Sequence, residues 1–229
     1  MKNIYRYFVI FFILLILKSC ATAPNNLSEV NDPYEKYNRS MFEFNKKLDE
    51  NIIRPTAEFY DENIPYQIKN SVTNFFENIS DIKNGANNIL QGKINNGISD
   101  LTRFVFNSTF GILGFIDISS EFGIPKSNED FGQTLGVWGF KSGPYVVLPI
   151  FGPSTLRDSF AMPINIYSDP INLSDSLSTF EKNISRTLKI VDKRATFLEE
   201  SSMLEQIALD PYLFFRDAYL QRRESQVKK

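Results

Sequence analysis

From Leu173 to Leu198 the apolar residues Leu173, Leu177, Phe180, Ile184, Leu188, Val191, Ala195 and Leu198 recur three or four positions apart. That period matches the turn of an α-helix and no β-strand, so the stretch is expected to form one amphipathic helix. The same period appears near the other end. Tyr37, Met41, Phe44, Leu48 and Ile52 form a stripe behind Asp32-Pro33, where Asp can cap, Pro can take the first helical position and Glu35 can close a capping box. Pro55 is expected to open a short second helix to about Tyr60. Pro65 opens a third, with Ile68, Val72, Phe75 and Ile79 as its stripe. A fourth is expected over Asp81–Gln91, stopped by Gly92, and a fifth over Ile94–Phe110 with Ile98, Leu101, Phe104 and Val105 on its buried side. Asp210-Pro211 repeats the cap-plus-proline start for a last helix to about Arg223. The expected fold class is all-α, a single domain of amphipathic helices over residues 32–223 with a polar tail at 224–229.

Only the centre reads differently. Gly111 to Gly152 holds eight glycines and three prolines, and its apolar runs are short. Phe115–Phe122 and Phe131–Val137 are expected as brief helices, and Ser119–Asp130 as a surface loop. The segment Gly143–Pro153 (GPYVVLPIFGP) could be a buried strand, but its prolines and the lack of a partner strand favour an extended or turn segment. Pro153 is expected to restart a helix with Arg157 and Asp158 in its first turns.

The side-chain inventory removes most chemistry. The chain has no histidine, which excludes Ser-His-Asp and Cys-His triads and imidazole metal sites. Its one cysteine, Cys20, allows no intramolecular disulfide and no thiolate cage. A net charge of -2 argues against a nucleic-acid surface. Neither phosphate-binding glycine loop nor nucleophile elbow occurs, and Glu129-Asp130 reads as a solvated acidic pair. No catalysis, cofactor or metal is expected. What stands out is polar residues in helical, apolar context: Asn38, Arg39, Asn45 and Arg54, then Arg103 with Asn107 four later, then Arg157 with Asp158. They are either buried hydrogen bonds and ion pairs that pin helices together or the polar lining of an amphipathic cavity. Phe42 points away from the stripe of its own helix, so it needs a second contact, whether another helix or a lipid or channel surface. Tyr145, Val146, Val147, Leu148, Ile150 and Phe151 pose the same choice between core filling and membrane contact.

Met1–Ser19 carries Lys2 and Arg6, an apolar run from Tyr7 to Leu17, and Lys18-Ser19 before Cys20. A basic start, a short apolar run and a small residue before the cut describe a secretory signal peptide. As a helix the run spans only about 16 Å, too short for a lasting membrane span. The bland reading of Cys20 is a free thiol near an ordinary cut. Its position also fits a bacterial lipobox, in which the cysteine is acylated, with polar residues 20–31 as a tether. Cleavage removes three of the 25 basic residues and none of the 27 acidic ones, leaving a balance of -5.

Ordered motifs carry a more specific reading. Asp32-Pro33-Tyr34-Glu35 with Asn38-Arg39, Phe42-x-Phe44-Asn45-x-x-Leu48-Asp49 and Arg54-Pro55 are followed by Asn74-Phe75-Phe76-x-Asn78, Asn88 to Gly92, and Arg103-Phe104-x-x-Asn107-Ser108-Thr109. Then come Asp130-Phe131-Gly132-Gln133-Thr134-Leu135-Gly136, Gly143-Pro144-Tyr145, Leu148-Pro149, Gly152-Pro153-Ser154-Thr155-x-Arg157-Asp158, Asp210-Pro211-Tyr212 and Arg216-x-Ala218-Tyr219. From Asp32 to about Arg222 the chain resembles the MlaA/VacJ family of outer-membrane lipoproteins. The resemblance implies a helical ring in the inner leaflet of the outer membrane of a Gram-negative bacterium, lipid-anchored on the periplasmic side, around an amphipathic channel. It implies removal of mislocalised phospholipid from the outer leaflet, with a porin trimer and a soluble periplasmic lipid carrier as partners. On that basis Phe42, Phe44 and Asn45 are expected to border the channel, and Phe122–Asp130 and Tyr145–Phe151 to belong to its gate and membrane-contacting surface. The alternative is a membrane-tethered, porin-associated scaffold without lipid passage.

Overall fold

A computed structural model describes residues 32–228; the expected signal peptide, Cys20 and tether lie outside the described residues. Helix α1 (Glu35–Leu48) passes through a π-helical turn at Asp49–Ile53 straight into α2 (Arg54–Asn63). Pro55 comes just after the π-helical turn and so lies inside a continuous helical run rather than at the free helix start expected from the sequence. The capping box expected at α1 does not form. Tyr34 is the N-cap residue and makes no side-chain cap bond. Asp32 is engaged instead by Asn38 Nδ2 at 2.9 Å and by the Tyr212 hydroxyl, while Glu35 accepts from Arg39 Nε at 2.8 Å.

Helix α3 (Tyr66–Leu90) is one helix of 25 residues where the sequence suggests two. The candidate break at Ser80-Asp81 is absorbed. Ser80 Oγ donates back to the Phe76 carbonyl at 2.8 Å, and Asp81 turns to Arg103 on the next helix. Gly92, at φ 80°, supplies the expected stop. Helix α4 (Ile94–Thr109) returns antiparallel along α3, with Asn88 opposite Asp100, Asp81 opposite Arg103 and Asn78 opposite Ser108. The two backbones touch at Gly85 and Gly97. A Cβ on Gly97 would lie 3.0 Å from the Gly85 carbonyl oxygen and 2.6 Å from Ile89.

Two short helices follow, α5 (Ile118–Glu121) and α6 (Phe131–Val137), then a hairpin of β1 (Tyr145–Leu148) and β2 (Gly152–Thr155). The hairpin corrects the sequence reading twice. The partner strand lies in the stretch assigned to a helix start, and Pro153 pairs in β2 opposite Val147. Helix α7 (Leu156–Tyr167) begins after it, capped by Thr155 Oγ1, which accepts from Asp158 N at 3.2 Å. Pro153 is tolerated because Val147 sends its N–H the other way, to Asn38. Two asparagines seven apart on α1 hold that outer edge of the hairpin. Asn38 donates to the Tyr145 carbonyl (3.1 Å) and accepts from Val147 N (2.8 Å). Asn45 donates to the Leu148 carbonyl (2.9 Å) and accepts from Ile150 N (2.6 Å). Each amide thus stands in for one peptide of a missing strand and covers a free edge.

The chain closes with α8 (Pro170–Leu173), α9 (Thr179–Thr196), α10 (Leu198–Ile207) and α11 (Pro211–Lys228). The long stripe is therefore spread over several elements. Leu173 ends α8, and a capping box of Ser178 and Glu181 starts α9 afresh beyond Leu177. Leu198 opens α10. The Asp210-Pro211 start holds, with Leu213 N donating to Asp210 Oδ1 at 3.2 Å, and the helix continues past Arg223 to Lys228.

Polarity is inverted relative to the sequence expectation. On α4 the supposedly buried side faces out, with Ile98 and Val105 each 55% exposed, while Gly97, Asp100, Arg103 and Asn107 are buried. Ile52, Phe59, Ile68, Phe160, Phe180 and Ile184 are likewise exposed. Among the described residues, buried polar side chains outnumber buried apolar ones, and the apolar core is a small cluster of Tyr145, Val147 and Tyr212. No helix among the described residues is long and apolar enough to cross a membrane.

Replacing Asn38 by Leu leaves a buried carbonyl and N–H of β1 unpaired. It is expected to lower the unfolding free energy by about 2–4 kcal/mol, read as a lower urea midpoint, with a smaller loss for Asn45→Leu at the exposed end.

Candidate functional site

The interior is built from the polar faces of α3 and α4. Asn78, Asp81, Asn84 and Asn88 recur on α3 at helical spacing, just as Asp100, Arg103 and Asn107 do on α4. Arg103, 1% exposed, donates through Nη2 to both Asp117 oxygens at 2.8 Å and through Nη1 to the Ile124 carbonyl at 2.6 Å. Asn107 Nδ2 adds a bond to Asp117 at 3.0 Å, and its Oδ1 accepts from Ser119 N at 2.8 Å. Burial works against the Asp117 carboxylate, but hydrogen bonds from Ser120, Asn107 and Arg103 outweigh it and hold the pKa down at about 2. Asp81 is the opposite case. Burial pushes its pKa up to about 6, and Arg103 Nε, 3.4 Å away, makes no hydrogen bond to offset it.

The same faces fasten the loop 122–130. Asn84 Nδ2 donates to the Ser127 carbonyl (3.0 Å), Ser127 Oγ to Asp100 (2.7 Å), and Glu129 N to Asn84 Oδ1 (3.1 Å). The surface loop expected over Ser119–Asp130 is shorter than that: Ser119–Glu121 belongs to α5 with Ser119 buried, and the remaining 122–130 lies at the surface with its inner side bolted to two helices.

A second node joins α6, α7 and α11. Arg223 donates to both oxygens of Asp130 (2.7 and 2.6 Å) and through Nε to Asp158 (2.8 Å). Arg157 Nε and the Tyr219 hydroxyl each reach Asp158 at 3.0 Å. Burial opposes both carboxylates, yet the Arg223 guanidinium keeps Asp130 and Asp158 below the usual range. Asp130 also caps α6 through Gln133 N at 3.0 Å. Glycine is required on that helix: a Cβ on Gly132 would sit 2.4 Å from Asp158 Oδ1 and 2.5 Å from Arg223 Nη2, and one on Gly136 2.6 Å from Arg157 Nη1.

Outside this polar frame lies a groove of about 660 Å³ between the hairpin tip and α7, α8 and α9. Phe151, Met162, Pro163, Ile166 and Tyr167 give it apolar walls, and Ser159, Asn172 and Arg186 are the polar residues of its lining. It is the size and character of a site for an amphiphile. No group of His, Cys, Asp and Glu among the described residues could hold a metal.

Comparison with known proteins matches residues 30–226 to the family described as MlaA lipoprotein. The chain belongs to this family. It is 35% identical to the Escherichia coli K12 protein named intermembrane phospholipid transport system lipoprotein MlaA, over 91% of this chain and 83% of that one. The relative of the same name from Haemophilus influenzae is 30% identical over 93% and 86%, and an uncharacterised Rickettsia typhi protein 35% over 89% and 81%. A solved structure from work on the structural basis for maintenance of bacterial outer membrane lipid asymmetry superposes with a TM-score of 0.74 at 30% identity, covering 86% of this chain and 99% of its own.

Within this MlaA fold the polar residues singled out from the sequence take distinct places. Asn38, Arg103, Asn107, Arg157 and Asp158 are buried and bonded. Arg39 sits nearer the surface, paired to Asp210 at 2.9 Å and 4.4 Å above the Tyr212 ring, and Arg54 lies 3.4 Å from Asp49. Phe42 finds its second contact in α11, edge-on to Tyr212 with ring centres 5.8 Å apart. Tyr145 and Val147 are packed in the core, Val146 and Leu148 are half-buried, and Phe44, Ile150 and Phe151 are exposed. Only Phe151 of that set lines the groove. Sequence reasoning missed Asp81, Asp100 and Arg223; it noted Asp130 and Gly132 only within a family motif, and the solvated reading of Glu129-Asp130 is corrected, because Arg223 grips both Asp130 oxygens and Gln91 donates to Glu129. The periodic Asn and Asp of α3 were the available signal.

Two measurements follow from these nodes. Gly132→Ala forces Asp158 and Arg223 apart and is expected to destabilise the fold by about 3 kcal/mol or more in urea unfolding. Asp81 has a folded pKa of about 6, above the 3.8 of a free carboxyl, so the folded state holds a proton that the unfolded chain releases in that window. Stability is therefore expected to rise as pH falls from 7 to 5, and Asp81→Asn should flatten that slope.

Proposed function

We propose that this protein takes mislocalised phospholipids from the outer leaflet of the outer membrane and passes them inward through an amphipathic channel to a soluble periplasmic carrier. The observation that carries this reading is the inverted polarity: a hydrogen-bonded polar interior inside helices whose large apolar residues face out. Apolar surface on that scale needs a cover, and helices too short or too polar to span can lie within one leaflet with that surface in hydrocarbon. The names of the relatives from Escherichia coli, Shigella flexneri and Haemophilus influenzae support the same assignment.

In this reading the chain is anchored by acylated Cys20 on the periplasmic side, the helices surround the channel, and a porin trimer holds the protein in place. The groove beside Phe151 takes acyl chain against Met162 and Ile166 and headgroup against Arg186 and Asn172. Phe44, Ile150 and Phe151 contact lipid, while Asn45 and Phe42 position the hairpin that borders the path. Moving a lipid breaks no covalent bond, so no catalytic group is required and the protein is not an enzyme.

The test uses cells lacking this gene, complemented with the parent or with a Cys20→Ser copy. Phospholipid exposed in the outer leaflet is expected to rise in the deletion and to return to normal only with the acylatable copy. Unchanged exposure would sink the transport reading and leave a porin-associated scaffold.

A further inference from the structure

Helix α1 makes its long-range polar contacts in two directions. Asn38 and Asn45 hold the edge of the hairpin, whereas Asp49, one turn beyond Asn45, reaches α9. Arg194 of α9 grips it bidentately, Nε donating to Oδ1 at 2.8 Å and Nη2 to Oδ2 at 2.9 Å. The partners are 145 positions apart in sequence, with side chains 24% and 15% exposed, which separates this pair from the solvated surface pairs that contribute little. Arg194 Nη1 also donates to Ser201 Oγ at 3.1 Å, and Arg54 Nε lies 3.4 Å from Asp49. The main chain engages Asp49 as well. Pro55 has no N–H to give the Asn51 carbonyl, and in a regular α-helix its ring would press on that carbonyl. The π-helical turn absorbs the conflict, with Arg54 N donating to the Asp49 carbonyl.

These contacts bear on the groove. Its lining includes Phe151 at the hairpin tip and Arg186 on α9. Asn45 holds the tip through the Leu148 carbonyl and Ile150 N, and Asp49 holds α9 through Arg194. Asn45 and Asp49 are about 6 Å apart along α1, and Arg186 and Arg194 about 12 Å apart along α9. One turn of α1 thus ties the hairpin tip to the helix that carries Arg186.

We propose that Asp49 and Arg194 are positioning residues for lipid uptake, fixing through Asn45 the separation of the hairpin tip from α9 and so the width of the groove. The described lining includes neither side chain, so they act through Asn45 and not by touching lipid. The coupling is tight. A swing of about 10° at Asp49 moves Asn45 by about 1 Å, which carries a bond of 2.9 Å out of hydrogen-bonding range. Ile150, at φ 69°, then loses the acceptor that holds its backbone. The inference rests on the transport reading and adds to it what keeps the site at its working width.

The experiment uses the full-length protein in nonionic detergent, with amide exchange followed by NMR and binding of dioleoylphosphatidylcholine by calorimetry. This lipid has no net charge, so removing the Arg194 charge does not by itself weaken long-range attraction. In Arg194→Gln, exchange at Ile150 N–H is expected to quicken about tenfold, at Val147 N–H less, and at the amides of α3 not at all. Lipid affinity is expected to fall about fivefold or more. Asp49→Glu/Arg194→Lys, a charged pair of similar combined reach, is expected to restore both. Unchanged exchange at Ile150, or equal acceleration in α3, overturns the proposal in favour of a pair that only stabilises the fold. Quickened exchange with unchanged lipid affinity overturns the link to the groove. Failure of the transport reading shows elsewhere, as normal outer-leaflet phospholipid in the deletion strain.

Discussion

Everything in this fold depends on satisfying a polar interior. A buried guanidinium or amide without partners costs several kcal/mol, so each one inside the helices must find its bonds in the neighbouring segment. Arg103 and Arg223 show how this is done. Each is nearly or fully buried, each grips a carboxylate with both of its oxygens, and each reaches further acceptors in a different part of the chain. Removing one partner of such a node strands the others, which makes the frame stiff and cooperative. The glycines at 85, 97, 132 and 136 follow from the same demand, because the partners can approach only where no Cβ intervenes.

A polar interior leaves the apolar residues nowhere to go but outward. In water this arrangement would be poor, since little apolar area is withdrawn from solvent by folding alone. It becomes favourable when the surrounding solvent is itself apolar, as on the side of a helix lying in a leaflet. The proposed function and the stability of the fold are then two consequences of one inversion. In the proposed setting lipid outside completes the burial that the protein does not achieve by itself, and the hydrogen-bonded frame inside keeps its shape without a large hydrophobic core.

That inversion also decides what the sequence revealed. Helix periodicity located most helices, and proline and glycine marked several ends, because those signals are local. Periodicity gives the direction of an apolar face but not what that face meets, so Ile98, Leu101 and Val105 read as buried when they are exposed. The split at Ser80-Asp81 failed because the polarity of Asp81 served Arg103, a long-range partner, rather than a helix start. The hairpin was missed for a related reason. Its free edge is closed by the amides of Asn38 and Asn45, more than a hundred residues away, and no local pattern encodes a strand whose neighbour is a helix face. Of the site, the family motifs announced Arg157, Asp158 and the glycines around Gln133, whereas the groove arises from residues of α7, α8 and α9 that share no motif.

Backbone strain points the same way as polarity. Ile112, Leu113 and Ile150 adopt φ of 52°, 58° and 69°, a region that branched and bulky residues avoid, and all three side chains are exposed. Each such conformation costs about 1–3 kcal/mol and persists only where the surroundings over-determine it. For Ile150 the hydrogen bond to Asn45 does part of this, and Gly152 at φ 79° completes the turn. For Ile112 and Leu113 the chain is fixed by backbone bonds, Leu113 N to the Ser108 carbonyl at 3.1 Å and Gly114 N to Asn107 at 2.9 Å. Gly114 in turn packs so closely on Asn78 that a Cβ would lie 2.4 Å from its Nδ2. Glycine would relieve the strain at either tip. A large aliphatic side chain there makes sense only if it is buried by something other than this chain, and in the proposed setting hydrocarbon offsets the strain by about 2 kcal/mol per side chain.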